Sequence, residues 1–131
     1  MAEPMTKARY AQYIAAFNDS DFPGFGKFYA DDVVLELPVR TLKGRDAILD
    51  FYRVVKEKQK IRETLTVKEC VIDGNVMAVD VETEFHATVD APDFVVRPMK
   101  RGESIHSESF IFYTIRDGKF AHIRATRFKM L

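Results

Sequence analysis

The sequence has no tryptophan and one cysteine, Cys70, so no disulfide can form within the chain. A lone thiol fits a reducing compartment, and Cys70 reads as a small buried hydrophobe. The cytoplasm is the expected location. Neither sign of charge is in excess: 20 basic and 20 acidic side chains cancel. That removes the electrostatic argument for nucleic acid or an anionic membrane as a partner. No stretch approaches the roughly 18 apolar residues of a membrane span. The N-terminal MAEPMTKARY lacks the apolar run of a signal peptide. Histidine is scarce, and the spacing of His86, His106 and His122 matches no metal-ligand pattern, so neither metal nor cofactor is expected. Repeats, linkers and low-complexity tracts are missing too.

What is present is apolar and aromatic. Of the 131 residues, 47% are hydrophobic, with 11 Phe and 5 Tyr. This length suits a single domain, 1–131, able to bury most of its apolar surface. So many aromatics suit a large core or a stacked ligand site.

Helical spacing comes first along the chain. Tyr10, Tyr13, Ile14 and Phe17 form a stripe over 6–17, with Thr6 a candidate N-cap. A short second helix is expected over 22–29, and a strand over 33–37 that Pro38 ends. Asp31-Asp32 between them reads as turn or cap chemistry. After Gly44, Ile48, Phe51, Tyr52 and Val55 make a third helical face. The remainder alternates. A strand over 64–72 leads through Asp73-Gly74 into 76–89, where Met77, Val79, Val81, Thr83 and Phe85 oppose Asp80, Glu82, Glu84 and His86. A long loop to Gly102 and a last hairpin around Asp117-Gly118 follow. Helices followed by an antiparallel meander give an α+β fold. Its curved sheet of about five to six strands would be wrapped by three helices, leaving a concave cavity.

Four pieces in order carry a family resemblance: YIAAFNDSD (13–21), FYADDVVLELP (28–38), KGRDAILDFY (43–52) and RDGKFAHIR (116–124). The whole chain resembles the nuclear transport factor 2-like superfamily, in its SnoaL-like and ketosteroid isomerase-like branch. The resemblance implies a cone-shaped α+β fold with a deep apolar pocket, hosting enzymes and binding modules alike. Ketosteroid isomerase uses a carboxylate base and an oxyanion hole of a tyrosine and a protonated acid. Its tyrosine falls on Tyr13, but its base falls on Leu37 and its acid on Ile111. The polar cluster of limonene epoxide hydrolase falls on Leu35, Leu37, Phe85, Ala87 and Ala125, none of which can bind a proton.

The last hairpin decides which side chains face the pocket, because a slip of one residue exchanges the faces of a strand. A three-residue turn at Arg116-Asp117-Gly118 puts Ser107, Ser109, Ile111 and Tyr113 on one face with Ile123, Ala125 and Arg127. The resemblance supports this register, since it places Ile111 and Ala125 inward. The expected lining is then Tyr13, Phe17, Phe28, Leu35, Leu37, Tyr52, Phe85 and Tyr113, with Ser107, Ser109 and Arg127 as the polar members. Tyr13 and Arg127 are the candidate catalytic donors, one for a substrate oxygen and one for a carboxylate or phenolate. In the other register His106 and Glu108 would make a proton-transfer pair inside the pocket. Phe110, Phe112, Phe120 and Phe128 would lie on the outer face and join two copies into a homodimer.

Two functions fit. One is a cofactor-free lyase, isomerase, cyclase or hydrolase acting on a small aromatic, terpenoid or polyketide-like compound. The other is a non-catalytic binding or dimerisation module. A protein-binding adaptor draws only on the outer aromatics.

Overall fold

The computed structural model describes residues 3–131. Helix α1 (Lys7–Asn18) begins where the Thr6 hydroxyl accepts from the Arg9 backbone N–H at 3.1 Å, and it buries Tyr10, Tyr13, Ile14 and Phe17. Helix α2 (Phe22–Gly26) is shorter than the spacing suggests; Asp21 caps it by accepting from the Gly24 N–H at 3.0 Å. Strand β1 (Tyr29–Leu37) starts earlier than expected and contains Asp31 and Asp32. Their carboxylates point outward to Arg45 and Arg116, so they tie elements together rather than turn the chain. Strand β2 (Arg40–Lys43), which carries no alternation in sequence, folds back on β1. Helix α3 (Arg45–Arg53) runs into a π-helical turn at Val54–Lys58.

Four long strands follow: β3 (Ile61–Asp73), β4 (Val76–Ala87), β5 (Ser104–Arg116) and β6 (Lys119–Met130). The sheet runs β2-β1-β6-β5-β4-β3, with β2 and β3 at its open edges. Neighbours are antiparallel except β1 beside β6, which are parallel. Among the described residues no helix is long and apolar enough to cross a membrane.

The last hairpin reaches the expected faces by another route. Arg116 pairs with Lys119, so the turn has two residues, Asp117 and Gly118, both at positive φ (53° and 71°). That is the backbone of a type I′ turn. A bulge between Phe120 and His122 then adds the missing residue, restoring Tyr113↔Ile123, Ile111↔Ala125 and Ser109↔Arg127. Gly118 is also needed for space, because a Cβ there would lie 2.0 Å from the Glu3 carbonyl oxygen. The bulge overturns one expectation. Phe120 is not on the outer face but fully buried, against Tyr113 at 4.5 Å and Tyr13 at 4.9 Å between ring centres. Phe110, Phe112 and Phe128 are outside as expected, Phe110 stacked on Phe128 at 4.9 Å.

Helices α1 and α2 fill one end of the bent sheet with a dense aromatic core, in which Phe17, Phe25, Phe28, Tyr29 and Phe120 are at most 1% exposed. Edge-to-face pairs dominate there, as ring quadrupoles favour. The other end stays open.

Candidate functional site

The open end holds a cavity of about 480 Å³, within the range of small-molecule sites. Three walls make it. Phe51, Tyr52 and Val55 come from α3 and the π-helical turn. Glu63 of β3, Phe85 of β4, and Ile105, Ser107 and Ser109 of β5 form the sheet wall. Leu37 and Pro38, with Ala125 and Arg127 of β6, close the side. Phe94, Val95 and Val96 of the β4–β5 loop cover the top, Phe94 packing edge-on against Phe85 at 5.1 Å. An isolated bridge between Ala91 and Met99 pins that loop. The long loop therefore borders the cavity, which is where such loops tend to carry function.

Of the residues singled out in the sequence, Leu37, Tyr52, Phe85, Ser107, Ser109 and Arg127 meet here. The others do not. Phe17, Phe28 and Leu35 lie in the closed core. Tyr113 is there too, its hydroxyl 2.7 Å from that of Tyr10. The Tyr13 hydroxyl is 2.8 Å from that of Tyr29. Tyr13 and Arg127 are thus not brought together as a donor pair: α1 packs flat on the sheet, and Tyr13 already has a partner in the core. Burial pushes the Tyr10, Tyr13 and Tyr29 hydroxyls well above the ordinary tyrosine range. His106 and Glu108 are also not a pair in the cavity. His106 faces Glu84 at 3.5 Å, and Glu108 faces Lys68 at 3.5 Å, on the outer side of the sheet. The three histidines do not converge, since His86 meets Ser104 and His122 meets Glu36.

The residue that sequence reasoning missed is Glu63. It sits between Ile61 and Leu65 on the inward side of β3, opposite Phe85 of β4. The strand was expected to begin at Thr64, which hid it. The signal was available: Ile61, Glu63, Leu65 and Val67 alternate, and one of the four is charged. Burial drives the Glu63 carboxyl up to about 7, and the Lys56 ammonium opposes part of that rise. Lys56 is itself pulled down by burial. It donates to the Phe17 carbonyl at 2.8 Å and lies 4.0 Å over the Phe17 ring. Glu63 has no hydrogen-bond partner among the described residues, and neither has the Tyr52 hydroxyl.

The backbone around Glu63 is fixed. Strand β3 is an edge, so one row of its N–H and C=O groups lacks a neighbouring strand. At Leu65 the side chain of Asn18 takes the place of that strand. Its Nδ2 donates to the Leu65 carbonyl at 2.9 Å and its Oδ1 accepts from the Leu65 N–H at 2.8 Å. The end of α1 therefore clamps β3 two residues from the carboxylate.

No curated protein sequence matches the chain. Solved structures match over most of its length at low identity. An LEH-like epoxide hydrolase from M. tuberculosis is 12% identical with a TM-score of 0.72, covering 90% of this chain and 78% of its own. A protein from Sinorhizobium meliloti, provisionally named a polyketide cyclase, is 19% identical at 0.64, covering 92% and 94%. TerC, crystallised with polyporic acid, is 20% identical at 0.70, covering 88% and 85%. Identities this low speak for the fold alone. Residues 10–123, however, match a sequence family directly, from the α1 stripe to the strand that carries the bulge. By that match the chain belongs to the family of SnoaL-like domains, within the nuclear transport factor 2-like superfamily.

Proposed function

We propose that the chain is a cofactor-free enzyme of isomerase, lyase, cyclase or hydrolase type, moving a proton on a small, mostly apolar compound. Glu63 carries this reading. A carboxyl in the wall of an apolar cavity, with no protein partner and a pKa of about 7, suits a general base at neutral pH. In the reaction proposed, the ionised Glu63 takes a proton from the carbon beside a substrate carbonyl. The C–H electron pair moves onto the carbonyl oxygen, and the Tyr52 hydroxyl donates a hydrogen bond to the oxyanion. The protonated Glu63 then returns its proton at the same or a conjugated carbon. Named relatives that process small molecules, and TerC with its bound organic acid, support this class without fixing the substrate.

Deuterium exchange tests it. In D₂O the protein should catalyse α-proton exchange of 2-tetralone, read by NMR, with a rate that rises as pH passes about 7. Glu63→Gln should lower that rate by about 10²–10⁴-fold, the usual worth of a positioned base. An undiminished rate in Glu63→Gln would remove the base from the proposal.

The alternative is a non-catalytic binding module of the same fold. Leu37, at the position of the isomerase base, lines the cavity with a side chain that cannot take a proton, and that favours it. The same assay separates the two, since a module binds without exchange.

We further propose that two copies pair through the outer face. Phe110, Phe112 and Phe128 are 37–57% exposed there, beside an open depression of about 780 Å³. Phe112→Glu should turn a sedimenting dimer into a monomer; a wild type that is monomeric at micromolar concentration rules the interface out. The free, half-buried thiol of Cys70 is the ground for placing the chain in the reducing cytoplasm.

A further inference from the structure

The rim of the cavity carries one solvent-exposed charged donor, Arg127, that no acid among the described residues pairs with. Arg127 lines it at the β6 side, and no carboxylate among the described residues lies within ion-pairing distance of its guanidinium. Three acids on the neighbouring elements are engaged elsewhere. Glu36 of β1 is bound to His122. In the covering loop, the Asp90 carboxylate accepts from the Arg101 N–H at 2.9 Å, and that of Glu103 from the Lys100 N–H at 2.6 Å. The same stretch of wall offers two further free donors. Ser109 is the direct cross-strand partner of Arg127, and Ser107 lies on the same face of β5. Neither hydroxyl has a hydrogen-bond partner among the described residues.

This donor group is well separated from Glu63. In the order β6-β5-β4-β3, Arg127 and Glu63 are three strands apart. Arg127 is level with Ser109, Val81 and Val67, four residues along β3 from Glu63, so at about 4.8 Å per strand and about 3.3 Å per residue the two stand roughly 20 Å apart measured along the bent sheet. Phe85 and Ile105 stand level with Glu63, and Ser107 lies one row nearer to Arg127.

Resting on the reading of this cavity as a small-molecule site, we propose that Arg127 and Ser109 bind the anionic end of an elongated organic acid. Its apolar body lies along Phe85 and Ile105 and presents its far end to Glu63. A guanidinium fork matches a carboxylate with two parallel hydrogen bonds, and the adjoining serine hydroxyl supplies a third donor. The separation also explains how a negative ligand tolerates a cavity that ionises Glu63 near neutral pH: its charge sits at the opposite end from that carboxylate.

Two probes of one shape test this directly: biphenyl-4-carboxylate and biphenyl-4-carboxamide, titrated calorimetrically at pH 8. The wild type should prefer the carboxylate by about tenfold or more, the margin of one charge-assisted pair. Its affinity for the carboxylate, but not for the carboxamide, should fall as salt is raised. Arg127→Met should abolish the preference while leaving carboxamide binding within about twofold, and Arg127→Lys should keep part of it. Equal affinity of the wild type for both probes, no binding of either, or a preference that survives in Arg127→Met overturns the proposal. Because binding alone is read, the outcome is independent of the exchange assay on Glu63. The carboxylate preference can hold while Glu63 fails as a base, and the reverse.

Discussion

The two ends of the bent sheet are built from the same materials and differ in how their polar atoms end up. Both are rich in phenylalanine and tyrosine, and Tyr52 of the cavity packs edge-on against Phe17 of the closed core at 5.0 Å. At the closed end each buried hydroxyl has a partner: Tyr10 with Tyr113, and Tyr13 with Tyr29. At the open end Glu63, Tyr52, Ser107 and Ser109 face the cavity with none among the described residues, and Arg127 stands exposed at its rim. Buried polar groups are normally satisfied, and a donor or acceptor left alone costs free energy. A structural core removes that cost internally. A site keeps its groups available for a ligand. In this domain the distinction separates core from site better than hydrophobicity does.

The largest effects should come from the closed end. Phe120→Ala removes a fully buried ring from the centre of the aromatic cluster and should cost about 3–5 kcal/mol by urea unfolding. Phe85→Ala, in a wall that already borders empty space, should cost less, about 1–2 kcal/mol, and enlarge the cavity. If the two cost the same, the cavity wall is packed as core and the contrast between the ends is lost.

Glu63 sharpens the comparison through pH. Its folded-state pKa, about 7, lies above the usual value of 4.5, so the folded protein holds a proton that the unfolded chain has released between those pH values. Where the native state binds more protons, stability falls as pH rises. The protein should therefore lose up to about 2–3 kcal/mol between pH 4.5 and pH 7, and little beyond. Glu63→Gln should flatten this dependence, melting above the wild type at pH 8 and level with it near pH 4.5. A wild-type curve parallel to that of Glu63→Gln across this window would mean that the carboxylate is well solvated.

The smallest effects should come from two matched deletions of one hydroxyl each. Tyr13→Phe leaves the buried Tyr29 hydroxyl without its partner and should cost about 1–3 kcal/mol of stability. Tyr52→Phe removes a hydroxyl with no protein partner, so stability should change by less than about 0.5 kcal/mol. Exchange of 2-tetralone should reverse the ranking: Tyr52→Phe slows it, while Tyr13→Phe leaves the rate of the folded protein unchanged. Equal losses of stability would show that the Tyr52 hydroxyl is also bound within the protein.

Much of the fold was legible in the residues because it rests on periodicity and local chemistry. The i, i+3, i+4 stripe of α1 and its Thr6 cap, the alternation from Met77 to Phe85, and the family pieces from YIAAFNDSD to RDGKFAHIR sit where those patterns put them. Strand β2 and the early start of β1 were not legible, because Arg40–Lys43 is held as a strand by its pairing with β1 and Ala30-Asp31-Asp32 carries no alternation. Phe120 was misplaced for a related reason. A bulge is set by the turn and the partner strand, and one extra residue reverses the face of the side chain beside it.

The sequence by itself determined the α+β class, the inward row of β4 and the largely apolar character of the cavity. These follow from spacing along a single chain, which local backbone geometry converts into faces. Only the tertiary structure decided which inward residues are core and which are site. Tyr13 and Tyr52 carry the same hydroxyl on inward helical faces, yet one meets Tyr29 and the other meets open space. That outcome depends on where α1 and α3 rest against the curved sheet, and on Asn18 clamping β3 so that Glu63 faces the cavity. These are contacts between segments far apart in the chain, and no periodicity encodes them.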